Sequence, residues 1–460
     1  MMQDKTIKFF KEISKIPRES GNEKKISDYI CNFARSRNLE YLQDKYNNVI
    51  IKKYVKNSSP IILQAHLDMV CEKEENLKFN FENDAIEVYE ENGLLRAKGT
   101  TLGADNGIGV AQILNILDSD LNISIEAIFT VSEETTMIGA ENIDVSSLKG
   151  REMINLDGFE SDTIITESAS FFDIVLETNF KFKKSNSEKV YTINLTGMLG
   201  GHSGFEINNN RGNSSIELAR LLKELGNVKL IDFVSGTKFN VIPSSGKCTF
   251  SSDMEFEEIN KITNKFQKQK QQEYNNLEFK ITLEEPYIEE FTCTSIEDSK
   301  KFLNAVTSFR HGVFFMDKQV TTSQNLGIVN LKENVFKIGV RSSRKNEEKI
   351  ILDYLKTFSV ENNFTFNIIS SQPGFETKED SALIKKLVRA YEKIENKTPD
   401  LKSVHITVES GFFENKLPGL QVAIISPKIL GAHTINEMVD IESVKKCDMW
   451  LLETLLNTLK

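Results

Sequence analysis

The chain has 460 residues, 39% hydrophobic and 27% charged, with 24 Gly and 8 Pro; it is too long for one ordinary core, and this composition excludes a disordered chain. Asp and Glu outnumber Lys and Arg by 67 to 57, a formal charge of −10, so no basic excess exists to bind nucleic acid or an anionic membrane. MMQDKTIKFFKEISKI lacks a signal-peptide pattern, no run of about 18 apolar residues occurs, and Cys31, Cys71, Cys248, Cys293 and Cys447 show no CxxC spacing; a cytoplasmic protein without disulfides or a thiolate metal site is expected.

TIKFFKEISKI predicts a helix, Pro17 to Gly21 a break, and the next stretch a second helix with Ile26, Tyr29, Ile30 and Phe33 on one face. Short apolar runs follow at 48–55 (NVIIKKYV), 60–66 (PIILQAH), 125–134 (IEAIFTVSEE) and 151–158 (REMINLDG). Between the second and third, TLGADNGIGVAQILNILDSD predicts a helix with the stripe Val110, Ile113, Leu114 and Leu117. Strands alternating with helices indicate an α/β sheet. From about residue 170 the texture changes to longer alternating stretches (FDIVLETNFKF, KVYTINLTG, GKCTFSSDM) and the helix NSSIELARLLKELG, an α+β pattern. A helix resumes within 371–394, then come GLQVAIISP (419–427) and a last Leu-rich helix. The expected architecture is a discontinuous α/β domain, 1–170 plus 371–460, whose central mixed sheet is flanked by helices, interrupted by an inserted α+β lid domain over 171–370.

Open α/β sheets bind ligands at the carboxyl ends of their strands. Here the second run ends at His66 and Asp68, the third at Glu133 and Glu134, and the fourth at Asp157; Asp105 lies at a loop-to-helix junction in GADNG, and His433 follows the late run in LGAHTINE. Singly, each has an ordinary reading: a loop histidine, a turn or N-cap, a solvated acidic pair. Jointly, so many donors on one rim are costly unless something cationic neutralises them, and a metal centre resolves that cost. Adjacent residues on an extended chain point opposite ways, so Glu133 and Glu134 are expected to divide their tasks, one toward metal and one toward substrate. Histidine and carboxylate donors without cysteine suit zinc, with Mn2+ or Co2+ as substitutes. Two such ions activate a water and polarise a carbonyl.

The ordered series QAHLDMV, GTTLGADNGIGVA, VSEETTMIGAE, INLDGFE, GGHSG, FNVIP and LGAHTINE resembles the dinuclear-zinc metallopeptidase family of aminoacylases, carboxypeptidases and dipeptidases, above all its aminoacyl-histidine dipeptidase branch, over essentially the whole chain. The resemblance implies hydrolysis of dipeptides with free N-termini, broad in specificity and including Xaa-His. It implies two zinc ions held by His66, Asp105, Glu134, Asp157 and His433, with Asp105 bridging both. Glu133 then matches the general base and Asp68 the carboxylate that orients His66, a task with independent physical sense because such partners fix an imidazole's tautomer. His202 of GGHSG matches a donor to the oxyanion, and Asn240 of FNVIP and Arg341 of GVRSS match lid positions that hold substrate, where an arginine fork suits a free carboxylate.

The resemblance places HITVESGFF beside the substrate, where Gly411 is expected to let the peptide approach the backbone closely. His405 and Glu409 in that segment lie four apart, as ligands on a helix do, with a structural hydrogen-bonded pair as the equal alternative. His311 matches nothing catalytic, and Phe205 after GGHSG is bulkier than the family pattern, which bears on specificity. Two other readings stay open: an N-acyl amino acid deacylase using the same centre, and a non-catalytic metal-binding descendant of such an enzyme. Small peptides are the expected partners, and the insertion offers a surface for pairing into a homodimer.

Overall fold

The run IILQAH forms the strand Ile61–His66, every residue of which is buried, as a parallel strand covered on both faces requires. The computed structural model describes residues 2–457. They divide into two compact units. The first takes in the described residues up to Ser168, Phe375–Val404 and everything from Val408 onward; the second is Ala169–Gly374 with His405–Thr407.

The first unit is built on an eight-stranded mixed sheet, in the order Glu40–Gln43, Val49–Lys53, Ile125–Thr130, Ile61–His66, Glu152–Asn155, Gln421–Ile424, Thr163–Ser168 and Asp400–Val404. Four central neighbours, from Ile125–Thr130 to Gln421–Ile424, run parallel, so their carboxyl ends lie along one edge. The helix Ala104–Leu117 packs on Ile61–His66 and against the helices Met2–Ile13 and Ile441–Leu456. The sequence predicts an apolar stripe on this helix, yet all fourteen residues are buried, because neighbours cover it all round. Its polar side chains are matched accordingly: Gln112 donates to Asp448 at 2.9 Å and Asn115 to Thr6 at 2.9 Å. Trp450 is 2% exposed against Tyr391, ring centroids 4.5 Å apart, and its indole N–H donates to the Leu387 carbonyl; burying such a ring contributes on the order of 2 to 3 kcal/mol.

The second unit carries a ten-stranded sheet whose main path is antiparallel throughout. Its core is rich in phenylalanine, with Phe302 edge-on to Phe233 and Phe336. No helix of the described residues is long and apolar enough to cross a membrane.

Two local features depart from the sequence reading. A hairpin, Val88–Glu91 paired with Leu94–Ala97, lies where no strand is expected. Its turn is Asn92-Gly93 with φ of 51° and 77°; a left-handed Asn-Gly pair is a strong hairpin signal, masked here by the polar run VYEE. Residues 405–407 are not helical, and the helix Ser410–Lys416 begins only after Glu409. His405 and Glu409 therefore belong to different units and have separate partners, which overturns both the helical-pair and the mutually bonded reading.

Burial pushes the Asp448 carboxyl up to about 7. A carboxyl whose folded pKa lies above its unfolded value of about 3.9 keeps a proton that the unfolded chain releases, so it lowers stability progressively between about pH 4 and 7. Asp448→Asn is expected to raise the denaturation midpoint at pH 8 relative to the parent, with little gain at pH 4; equal effects at both pH values would contradict this.

Candidate metal centre

The carboxyl ends of the central strands carry His66, the Glu133–Glu134 turn and Asp157. Asp105 enters from the start of the buried helix, where its backbone is still extended (φ −80°, ψ 111°). Its two oxygens face two imidazoles rather than capping the helix: Oδ1 lies 3.1 Å from His66 Nε2 and Oδ2 lies 3.0 Å from His433 Nε2. His433 Nε2 is also 3.0 Å from Glu134 Oε2, and His66 Nε2 is 3.7 Å from Asp157 Oδ1. Donor atoms of His66, Asp105 and Glu134 lie within 4.8 Å of one another, as do those of His66, Glu133 and Asp157.

Glu133 and Glu134 lie in a turn after Ser132 (φ +57°), not on an extended strand as the sequence suggested. Their carboxyls still have different neighbours, Glu133 beside Asp157 and Glu134 beside Asp105 and His433.

Five carboxylates here face two imidazoles, so ionisation is contested. Burial raises Glu133, well above the ordinary range, and raises Asp157 and Glu134. Burial works the same way on Asp105, but hydrogen bonds from His433 and His66 outweigh it and hold Asp105 low. Burial opposes a charge on His66 too, yet the neighbouring carboxylates, Asp157 foremost, lift it well above the usual imidazole value; His433, bonded to Asp105 and Glu134, rises to about 10. The raised pKa values of imidazoles and acids alike reflect the excess of negative charge in this donor set. Two donors sharing a tetrahedral zinc at roughly 2.0 to 2.1 Å are about 3.3 Å apart, and the separations above bracket that value. Glu134 Oε1 is buried without a hydrogen-bond partner. The set can hold two divalent cations, one toward His66 and Asp157, the other toward His433 and Glu134, with Asp105 facing both.

Asp68 lies beneath the turn. It accepts from the backbone N–H of Glu133 (3.0 Å) and of Glu134 (3.1 Å) and from the Ser20 hydroxyl (2.7 Å), while His66 Nδ1 faces it at 3.4 Å. Burial would raise Asp68, but His66 and these donors hold its pKa down. Asn106 donates to the Leu156 carbonyl and to Asp157 Oδ1 (2.9 and 3.0 Å); glycine at 109 makes room for it, since a Cβ there would lie 2.1 Å from Asn106 Oδ1. Sequence reasoning missed two further residues. Arg18 is 2% exposed and donates to the carbonyls of Leu67, Asp68 and Gly103. Glu437 accepts from the N–H groups of Leu102, Gly103 and Asp105 at 2.8, 2.8 and 3.2 Å. Glu437 ends the motif LGAHTINE and Arg18 lies ahead of the quoted motifs, but no spacing links either to Asp105 in sequence.

The second unit has its own polar cluster. GGHSG and FNVIP meet there: Gly201–His202 pairs with Val241–Ile242, and the Ser203 N–H donates to the Asn240 carbonyl (2.9 Å). His202 is therefore at a strand-to-helix junction, not in an open loop. Its Nδ1 accepts from the Gly204 N–H (3.2 Å), while its Nε2 faces the Arg341 guanidinium, also a donor, at 3.3 Å; burial and the Arg341 charge keep the ring neutral by pushing its pKa down to about 4. Arg341, 4% exposed, has only long contacts: Ser203 Oγ at 3.5 Å, Thr407 Oγ1 at 3.4 Å and His202 Nε2 at 3.3 Å. It stacks over Phe171 at 4.4 Å, and burial lowers its pKa to about 10. Asn240 is half-buried there. Gly411, by contrast, is buried in the first turn of Ser410–Lys416 in the first unit. His311 accepts at Nδ1 from the Leu326 N–H.

The family model for Peptidase family M20/M25/M40 matches residues 62–457. The chain belongs to this peptidase family. A curated M20 relative, the cytosol non-specific dipeptidase of Escherichia coli (strain K12), is 29% identical over 455 residues, spanning 95% of this chain and 93% of its own length. The crystal structure of aminoacylhistidine dipeptidase from Vibrio alginolyticus matches with a TM-score of 0.84 at 27% identity, covering 98% and 96% of the two chains. Aminopeptidase PepT from Bacillus cereus ATCC 10987 matches with a TM-score of 0.58 at 14% identity over 100% and 99%, a likeness of fold alone.

In this M20 chain, Glu437→Ala would leave three buried N–H groups without an acceptor and Arg18 without the acid that most favours its charge. An expected loss of at least about 1 to 3 kcal/mol in the metal-free chain is measurable by denaturant titration, and an unchanged midpoint would show that Glu437 does not hold the Asp105 loop.

Proposed function

We propose that this M20 peptidase hydrolyses the peptide bond of dipeptides with free N-termini, with broad specificity that includes Xaa-His. His66, Asp105, Glu134, Asp157 and His433 are the proposed ligands of two zinc ions, for which Mn2+ or Co2+ can substitute. The observation that carries the reading is the Asp105 carboxylate, one oxygen toward His66 and the other toward His433, with further carboxylates beside each imidazole. The dipeptidase names of the Escherichia coli and Vibrio alginolyticus relatives support the substrate class, and the former supports a cytosolic setting.

When bound, the metal pair supplies Lewis-acid polarisation of the scissile carbonyl and a water of lowered pKa. The residues of the chain do the rest. Glu133, half-buried and with its carboxyl raised by burial, takes the proton of the attacking water and passes it to the leaving amine, the work of a general base turned acid. Asp68 keeps Glu133 and Glu134 in place through their N–H groups and directs Nε2 of His66 away from itself.

We read the first unit as the catalytic domain and the second as a lid that binds substrate. Arg341 is a buried guanidinium with no ion-pair partner among the described residues, which suits it to the substrate's free C-terminal carboxylate. His202, a neutral imidazole beside Arg341, is the proposed donor to the developing oxyanion, and Asn240 beside it is proposed to hold the peptide.

A panel of Ala-His, Leu-Gly and N-acetyl amino acids tests this: turnover of the dipeptides is expected, and turnover of the N-acetyl compounds alone would make the chain a deacylase. Glu133→Gln is expected to lower kcat by roughly 10²- to 10⁴-fold with zinc content unchanged; full activity would refute the base assignment. Arg341→Leu is expected to raise KM for a free dipeptide roughly 10- to 100-fold while leaving a C-terminally amidated dipeptide unaffected, and equal losses on both would deny it the carboxylate.

A further inference from the structure

Glu409 is fully buried in the first unit, just ahead of the helix Ser410–Lys416. Its Oε2 accepts from Gln64 Nε2 at 2.8 Å and from the Thr130 hydroxyl at 2.6 Å. Gln64 Oε1 in turn accepts from Asn155 Nδ2, and Asn155 Oδ1 accepts from the backbone N–H of Asp157 at 2.7 Å. The three side chains in this chain of bonds belong to three adjacent parallel strands: Thr130 ends Ile125–Thr130, Gln64 is in Ile61–His66, and Asn155 ends Glu152–Asn155. Gln64 and Asn155 are register partners, as are Thr130 and His66. Each of the three precedes a proposed site residue by two or three positions: Thr130 before Glu133, Gln64 before His66, Asn155 before Asp157.

The backbone ladder ends at these positions, and each strand runs on into loop. A tie across the three ends is the arrangement that could keep loops from drifting relative to one another. Burial, reinforced by Asp68 and Asp157, pushes the Glu409 carboxyl up to about 8, so near neutral pH it is mainly a neutral acid, in keeping with a partner that works by hydrogen bonds rather than by charge.

We propose that Glu409 is a positioning residue: by bonding Gln64 and Thr130, and through Gln64 Asn155, it locks the carboxyl ends of three strands together and so sets the spacing of His66, Glu133 and Asp157. It touches none of the three directly. The inference rests on the metal-centre reading for what is positioned, not on the peptide specificity.

The test compares Glu409→Gln and Glu409→Leu by two readouts: hydrogen exchange of the Asp157 amide in the metal-free chain, and zinc affinity by chelator competition. Glutamine keeps an oxygen that can accept both bonds, so it is expected to stay near the parent. Leucine is expected to lower zinc affinity roughly 10- to 100-fold and to speed exchange at Asp157, while the ladder amides of Ile62–Ala65 remain protected. A folded Glu409→Leu chain matching the parent in both readouts would overturn the proposal. So would a Glu409→Gln chain as impaired as the leucine variant, which would point to charge. Should Glu409→Leu not fold, Thr130→Val carries the test: unchanged zinc affinity and unchanged exchange at Asp157 overturn the proposal. A parent that takes up no zinc, with exchange at Asp157 still responding, would sink the metal-centre reading and leave the positioning role standing.

Discussion

Negative charge confined to the carboxyl edge of a parallel sheet is the constraint on which the first unit's other features depend. Asp68, Asp105, Glu133, Glu134 and Asp157 are brought within reach of only two imidazoles. Such a group of acids in a poorly solvated place is unstable unless protons or cations neutralise it and fixed donors hold each carboxylate apart. The surroundings meet both needs. The neighbouring carboxylates raise the pKa of His66 and His433, and His66, Ser20 and the turn amides hold that of Asp68 down.

The acids therefore differ in kind although their side chains are chemically alike. Asp105 is drawn down by two imidazoles and Glu133 driven up by burial, so environment, not residue type, divides them. The division depends on loops that have no ladder of their own, which explains how much buried polar bonding is spent on them. Arg18 gathers carbonyls of the 67–68 and 103 loops, Glu437 gathers amides of 102–105, and Asp68 gathers those of 133–134.

Much of this was legible residue by residue. The run IILQAH reads as a buried strand because its apolar residues are continuous, and the alternation of such runs with helical periods indicated the mixed α/β sheet. His66, Asp68 and Asp157 stand out because polar groups end apolar runs. Other features could not be read. Arg18 and Glu437 look like surface charges, since nothing in a linear pattern tells an exposed ion from one buried against backbone 85 or 335 positions away. The 405–409 segment misled because a four-residue interval is a helical signal only where the backbone is helical, and there it is not. The full burial of Ala104–Leu117 was illegible for a related reason: periodicity records one apolar face, while Gln112 and Asn115 are buried because partners on other helices accept their donors.

The sequence by itself determined the alternation of apolar runs with helical periods, the donors that follow those runs, and the family, since these rest on local composition and ordered motifs. Tertiary structure alone decided which acid faces which imidazole and which carboxyls are driven up or down, and it brought GGHSG against FNVIP. Those outcomes depend on distances between residues far apart in the chain and on exclusion of water around them. Both are set only when the sheet aligns its strand ends and the loops close over the charges.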